Sequence, residues 1–171
     1  MLHISGIHGI NCIVMKIPRI YFDTSVFSFA LAEDAPKERE VTLKLLEEVK
    51  NGKYKVFISE VVLREISRAP QQRAVELRDC IKKINPEQLI LDDNVLALAK
   101  EYIEKGVIPS KYEDDAFHIA IASVNNLDII VSWNFTHIVK LKTRREVAVI
   151  NTLMGYKPIE ICSPQEVIDN A

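Results

Sequence analysis

Carboxylates stand where apolar runs break off. In the stretch YFDTSVF, residues 21–27, an apolar run over Arg19–Phe22 stops on Asp23 and is followed by two hydroxyls. Asp is depleted in strands, so Asp23 marks a turn or a carboxylate offered at a strand end. In SEVVLREI, residues 59–66, Glu60 and Glu65 fall in the opening turns of a helix that follows a second apolar run. In EDDAFHIAIA, residues 113–122, Glu113, Asp114 and Asp115 open a segment that is apolar on almost every side. A fourth polar group, Ser132-Trp-Asn134-Phe-Thr-His137, ends the run DIIVS. Four strand or helix ends thus offer oxygen ligands to one edge of whatever sheet these runs form.

Each group has a plain structural use as well. Asp23, Thr24 or Ser25 can N-cap the following helix. Asp114 and Asp115 suit a helix N-terminus through its dipole, and a glutamate at 65 is at home on a solvated face. Asp115 is the most demanding of them. The segment behind it is apolar all round, so its carboxylate is expected to be half-buried, and a buried carboxylate needs a cation or hydrogen-bond donors.

The elements that must position these groups alternate. Short apolar runs at Arg19–Phe22, Tyr54–Ile58, Gln88–Leu91, Ile129–Ser132 and Ile159–Cys162 read as strands. Between them lie segments of helical periodicity: 37–50, 60–68, 71–84 with a break at Ala69-Pro70, a helix from Asp92 or Asp93 to Lys105, and 112–125. The alternation predicts an α/β fold, a three-layer α/β/α sandwich around a mostly parallel five-stranded sheet. In such sheets ligands gather beyond the carboxyl ends of the strands, where these carboxylates fall.

The chain has 171 residues, enough for one sizeable core. Its 22 basic and 24 acidic residues leave a net charge of −2, so no overall positive field advertises a polyanion partner. An anionic partner must be held by a local patch or by metal ions. Cys12, Cys80 and Cys162 are too scattered for a zinc or redox motif, as expected of thiols in a reducing cytoplasm. No run approaches the roughly 18 apolar residues of a membrane helix, and there is no glycine-rich phosphate loop. Residues 1–14 read as a leader and Met15 as an alternative start, with 15–171 as a single domain.

Taken in order and spacing, YFDTSVF, the glutamate of SEVVLREI, DDAFHIAIA, DIIVSWNFTHI and the closing SPQEVI resemble the PIN-domain nucleases, a family that includes the toxin halves of VapBC toxin–antitoxin pairs. The likeness runs over residues 17–169. It implies a metal-dependent endoribonuclease, with a small antitoxin and a second copy of the chain as candidate partners and the cytoplasm as location. Carried over by motif position, the family's acids fall on Asp23, Glu65 and Asp115 as metal ligands. Asn134 stands where the family commonly has a fourth acid, and is assigned as an auxiliary ligand or substrate contact. An all-oxygen set with no His or Cys cluster points to Mg²⁺ or Mn²⁺.

Other readings stay open beside it. The Asn134 departure fits a catalytically degenerate domain that binds RNA or a protein without cleavage. A phosphatase with Asp23 as nucleophile would want a second acid where this chain has Ser25. His118 reads as a satisfied core histidine and His137 as a loop histidine. Lys140, Lys142, Arg144 and Arg145, with Arg64 and Arg68 opposite, form a candidate phosphate-holding surface.

Overall fold

Residues 16–169 are described by the structure, a computed structural model. The leader 1–14 with Cys12, and the alternative start Met15, lie outside the described residues. The first strand, β1 (Arg19–Phe22), buries all but its first residue. Asp23 then leaves the extended conformation and caps α1 (Thr24–Ala30), its carboxylate accepting from the Ser25 amide. Pro36 at the first turn opens α2 (Pro36–Lys50), which faces the core with Leu45, Leu46 and Val49.

β2 (Lys55–Ser59) passes straight into α3 (Glu60–Ser67), whose cap is Ser59. Pro70 separates α3 from α4 (Gln71–Ile84), which ends on Asn85 in the left-handed conformation at φ 45°. β3 (Glu87–Leu89) is short and largely exposed. After α5 (Asp93–Glu104), capped by Asp92, a single 3₁₀ turn at Ser110–Tyr112 leads into α6 (Glu113–Val124). Every residue of α6 from Ala116 to Ser123 is buried. β4 (Ile129–Val131), α7 (Leu141–Leu153), β5 (Glu160–Cys162) and α8 (Pro164–Asp169) complete the described chain.

All pairings are parallel, in the order β3-β2-β1-β4-β5. The chain steps outward from β1 through β2 to β3, then returns to the other side of β1 for β4 and β5. Right-handed crossovers therefore lay α1 to α4 on one face and α5 to α7 on the other. The contacts agree: α1 meets α2 and α4, and α2 meets α8, while α5 packs on α6 and α7. The reversal of strand order falls between β1 and β4, which is where such sheets open a crevice.

The helix α7 was not visible in the apolar pattern. Two of its four buried residues, Thr143 and Asn151, are polar, while Leu141, Val149 and Leu153 point outward. What holds it is partly a buried polar triad. The Tyr102 hydroxyl donates to Asn151 Oδ1, and Asn151 Nδ2 donates to Ser123 Oγ at 2.9 Å, joining α5, α6 and α7. Tyr102→Phe strands the Asn151 oxygen in the core, and an orphaned buried acceptor costs about 1–3 kcal/mol. A lowered urea midpoint with unchanged slope is the expected result; a midpoint equal to wild type would mean that the triad contributes nothing. Among the described residues no helix is long and apolar enough to cross a membrane.

Candidate active site

At the tip of β1 the Asp23 carboxylate is buried and fully engaged. Oδ1 accepts from the Ser25 amide (3.1 Å) and hydroxyl (2.5 Å), and Oδ2 accepts from Ser132 Oγ at 2.6 Å. Ser132 is the residue after β4, so this bond closes the sheet across the switch point. The same two hydroxyls accept the Trp133 amide (2.8 Å) and the Asn134 amide (2.9 Å), shaping the loop beyond β4. Burial pushes the Asp23 carboxyl above its ordinary range, opposed by the charge of His118 and by the serine hydrogen bonds.

Glu65 comes from α3, the helix that Ser59 starts. Its Oε2 accepts from the Thr24 hydroxyl and from His118 Nε2, the latter at 2.9 Å. Burial alone would raise this carboxyl, but the His118 hydrogen bond and charge and the Thr24 hydroxyl together hold it below its usual value. Asp115 comes from the first turn of α6. Its Oδ1 accepts from Asn134 Nδ2 at 3.1 Å, while its buried Oδ2 has no hydrogen-bond partner among the described residues. Burial pushes Asp115 up to about 6; His118 and Asn134 oppose the rise, and the charges of Asp23 and Glu65 add to it.

The four residues carried over from the family pattern are thus brought into one hydrogen-bonded, electrostatically coupled cluster at the reversal of strand order. Asn134 does more than fill the place of an acid. Its amide nitrogen donates to Asp115, and its Oδ1 accepts from the His137 amide at 3.0 Å, so the side chain is committed at both ends. Glu60 turns away to accept from the Leu91 amide. Asp114 leaves the cluster to pair with Arg64 (2.5 Å) and Arg68 (2.7 Å).

That pairing engages part of the expected phosphate-holding surface, because both arginines already serve Asp114. Arg144 is likewise bound through two nitrogens to Glu166 (2.9 and 2.8 Å), and Lys142 pairs with Glu146 (3.7 Å). Two basic side chains stand among four acidic ones at the mouth of the cluster. A cleft of about 380 Å³ has Glu65 and Asp115 on its wall with Arg68, Lys111 and Tyr112. Tyr112 stacks on His137 at 4.0 Å between ring centroids, and the Lys111 ammonium lies 4.7 Å from the Tyr112 ring centre.

His118 is the residue whose role the sequence hid. It is indeed a satisfied core histidine, but its partner is Glu65. The signal was its spacing: three residues past Asp115, it shares a helix face with that acid. Tyr21, two residues before Asp23 and so on the same side of β1, is the other.

Among the described residues no three Asp, Glu, His or Cys side chains form a ready-made metal cage. Protein donors hold Asp23 on both oxygens and Glu65 on one. The donor set nevertheless suits a hard divalent cation: three carboxylates sense one another's charge, and one buried oxygen, Asp115 Oδ2, has no donor.

The family model for the PIN domain matches residues 20–134, more than half of the 171 residues. The chain belongs to the PIN-domain family. Its fold is also that of solved relatives. One is VapBC2 from Rickettsia felis, solved bound to a DNA fragment from its promoter, similar at 16% identity and TM-score 0.53 over 85% of this chain and 98% of that one. Another is DNA-bound VapBC from Salmonella typhimurium, at 16% identity and TM-score 0.53 over 86% and 98%. Comparison with curated proteins gives no match. At such identity the solved structures speak for the PIN fold alone, and the matched span runs from β1 to Asn134, so it holds every residue of the cluster.

Proposed function

We propose that this PIN-domain protein is a Mg²⁺- or Mn²⁺-dependent endoribonuclease that hydrolyses RNA phosphodiester bonds, with Asp23, Glu65 and Asp115 holding the metal. The observation that supports it most is Asp115 itself. A half-buried carboxylate with an unpartnered oxygen, raised to about 6 and set beside two further acids, is poorly stabilised by the protein alone. Groups so perturbed in a cleft are candidates for chemistry.

When bound, the cation supplies an acidified water and neutralises charge on the scissile phosphate. The protein's own residues do the rest. Ser25 and Ser132 hold Asp23 at the strand tip, Thr24 and His118 hold Glu65, and Asn134 holds Asp115 while capping the His137 amide. Lys111 at the cleft mouth meets the phosphate backbone without reading sequence. A small antitoxin partner draws on the two solved relatives above, which are VapBC assemblies; the choice of RNA and the cytoplasmic location draw on the family likeness alone.

A single-stranded RNA incubated with the protein and Mn²⁺ should be cut internally, and excess chelator should abolish cutting. An equal cleavage rate in chelator would refute metal dependence. A second reading, binding without cleavage, draws on Asn134, a neutral amide where the family commonly has an acid, and on the absence of a preformed cage among the described residues. Retention of RNA with no cleavage in either metal would favour it.

A further inference from the structure

Behind the carboxylates the contact of His118 with Glu65 continues into a buried relay. Ser59 Oγ lies 2.6 Å from the Tyr21 hydroxyl, which lies 2.7 Å from His118 Nδ1, and His118 Nε2 lies 2.9 Å from Glu65 Oε2. Tyr21 and Ser59 are fully buried and His118 is 2% exposed, so water does not compete for these bonds. Four elements contribute: Tyr21 from β1, Ser59 from the end of β2, Glu65 from α3 and His118 from α6.

The sense of the relay follows from what each atom can do. An ionised carboxylate only accepts, so His118 Nε2 carries the hydrogen that faces Glu65. In the neutral ring Nδ1 then accepts from the Tyr21 hydroxyl, whose oxygen accepts from the Ser59 hydroxyl; in the charged ring Nδ1 donates to the Tyr21 oxygen and the Tyr21 hydroxyl donates to Ser59 Oγ, with Nε2 donating to Glu65 in both. Ser59 Oγ in turn accepts from the Val61 amide at 3.2 Å as the cap of α3. Every group is satisfied with the ring neutral. The sequence of donors ends on one atom, Glu65 Oε2, which the Thr24 hydroxyl also reaches. Oε1 receives no protein donor among the hydrogen bonds of the described residues, so it is the oxygen left to face the cleft that Glu65 lines.

The geometry points to His118 as the positioning residue for Glu65, held by Tyr21 and Ser59 so that Oε2 is fixed and Oε1 is presented to the cation. This rests on the reading of Asp23, Glu65 and Asp115 as metal ligands. A glutamate has three side-chain torsions to order, and α3 lies at the rim of the cleft. Without the imidazole only Thr24 would restrain the carboxylate. Outer partners of this kind typically set metal affinity by about 10–100-fold.

The test is Mn²⁺ affinity measured by calorimetry or by the loss of the free-ion electron paramagnetic resonance signal, with no RNA present. His118→Leu should weaken Mn²⁺ binding by about 10–100-fold. His118→Gln, whose amide can still donate to Oε2, should recover most of that loss, which a merely space-filling role for the ring would not predict. Tyr21→Phe keeps the packing and should give an intermediate loss. Adding it to His118→Leu should cost nothing further, since the relay is already cut. Wild-type affinity in His118→Leu, or equal losses in the Leu and Gln variants, overturns the positioning role and leaves the metal reading standing. A wild-type protein that takes up no Mn²⁺ overturns both. Should His118→Leu fail to fold, the Gln and Phe variants decide it alone: the same values as wild type in Tyr21→Phe would show that the relay does not act on Glu65.

Discussion

Asp115→Asn should lose RNA cleavage by at least about 100-fold, the scale of effect when a catalytic electrostatic group is removed, and yet melt at a higher temperature than wild type in chelator. The two halves of this result have one cause. The carboxylate sits half-buried with one oxygen unpartnered, and its pKa stands at about 6. An unfolded aspartate ionises near 3.9. Between these values the folded chain keeps a proton that the unfolded chain has lost, so stability falls as pH rises through about 4 to 6 and stays low above. A shift of that size is worth about 3 kcal/mol in full. For a half-buried group, solvent screening leaves on the order of 1–2 kcal/mol.

A neutral amide removes the penalty and with it the attraction for a cation. His118, lowered by burial but raised further by its bond to Glu65 and by the neighbouring acids, adds a loss of the same sign at higher pH. Thermal melts in chelator from pH 5 to 7.5 should therefore slope downward in wild type and less steeply in the variant. A variant that melts lower than wild type at pH 7.5 would show that Asp115 is a structural acid.

Asn134→Asp is the second large effect. The present amide nitrogen donates to Asp115 Oδ1 across 3.1 Å, and its oxygen caps the His137 amide. A carboxylate keeps the cap but replaces the donor with an oxygen, setting two acids in contact. Such pairs share a proton or repel. In chelator at pH 7.5 the loss should be about 2–4 kcal/mol, the lost charge-assisted bond plus repulsion. Mn²⁺ should return most of it, because the added charge strengthens cation binding, and the recovery should exceed that of wild type. Unfolding with and without Mn²⁺ measures both. A metal-free midpoint equal to wild type would mean that residues 115 and 134 do not touch.

The sheet was legible because four of its strands are short apolar runs alternating with helical segments, while the edge strand β3 (Glu87–Leu89) is largely exposed. Asp23 was legible because it ends an apolar run, and Asp115 because it heads a helix that is apolar on almost every side, where a carboxylate is buried only at a cost. Glu65 stood out through the family pattern alone, since nothing in an amphipathic helix distinguishes a solvated glutamate from a restrained one. Partnership was the hidden quantity. Arg64 and Arg68 looked available in sequence, yet the fold brings Asp114 to both. His118 looked like core filling, and is that, but the atom it satisfies belongs to a helix 53 positions away in sequence. Helix α7 escaped because its inward face carries Thr143 and Asn151, whose hydrogen bonds replace the apolar contacts that periodicity detects.

Trp133 is the sole tryptophan of the chain. Its amide hangs from the hydroxyl of Ser25 that also grips Asp23, its indole N–H donates to Thr42 at 2.8 Å, and Phe29 and Phe135 flank its ring. The protein thus carries a native fluorophore wired to the tip of its first strand. Any rearrangement at Asp23, whether from titration, ion uptake or strand separation, should register in emission without a label.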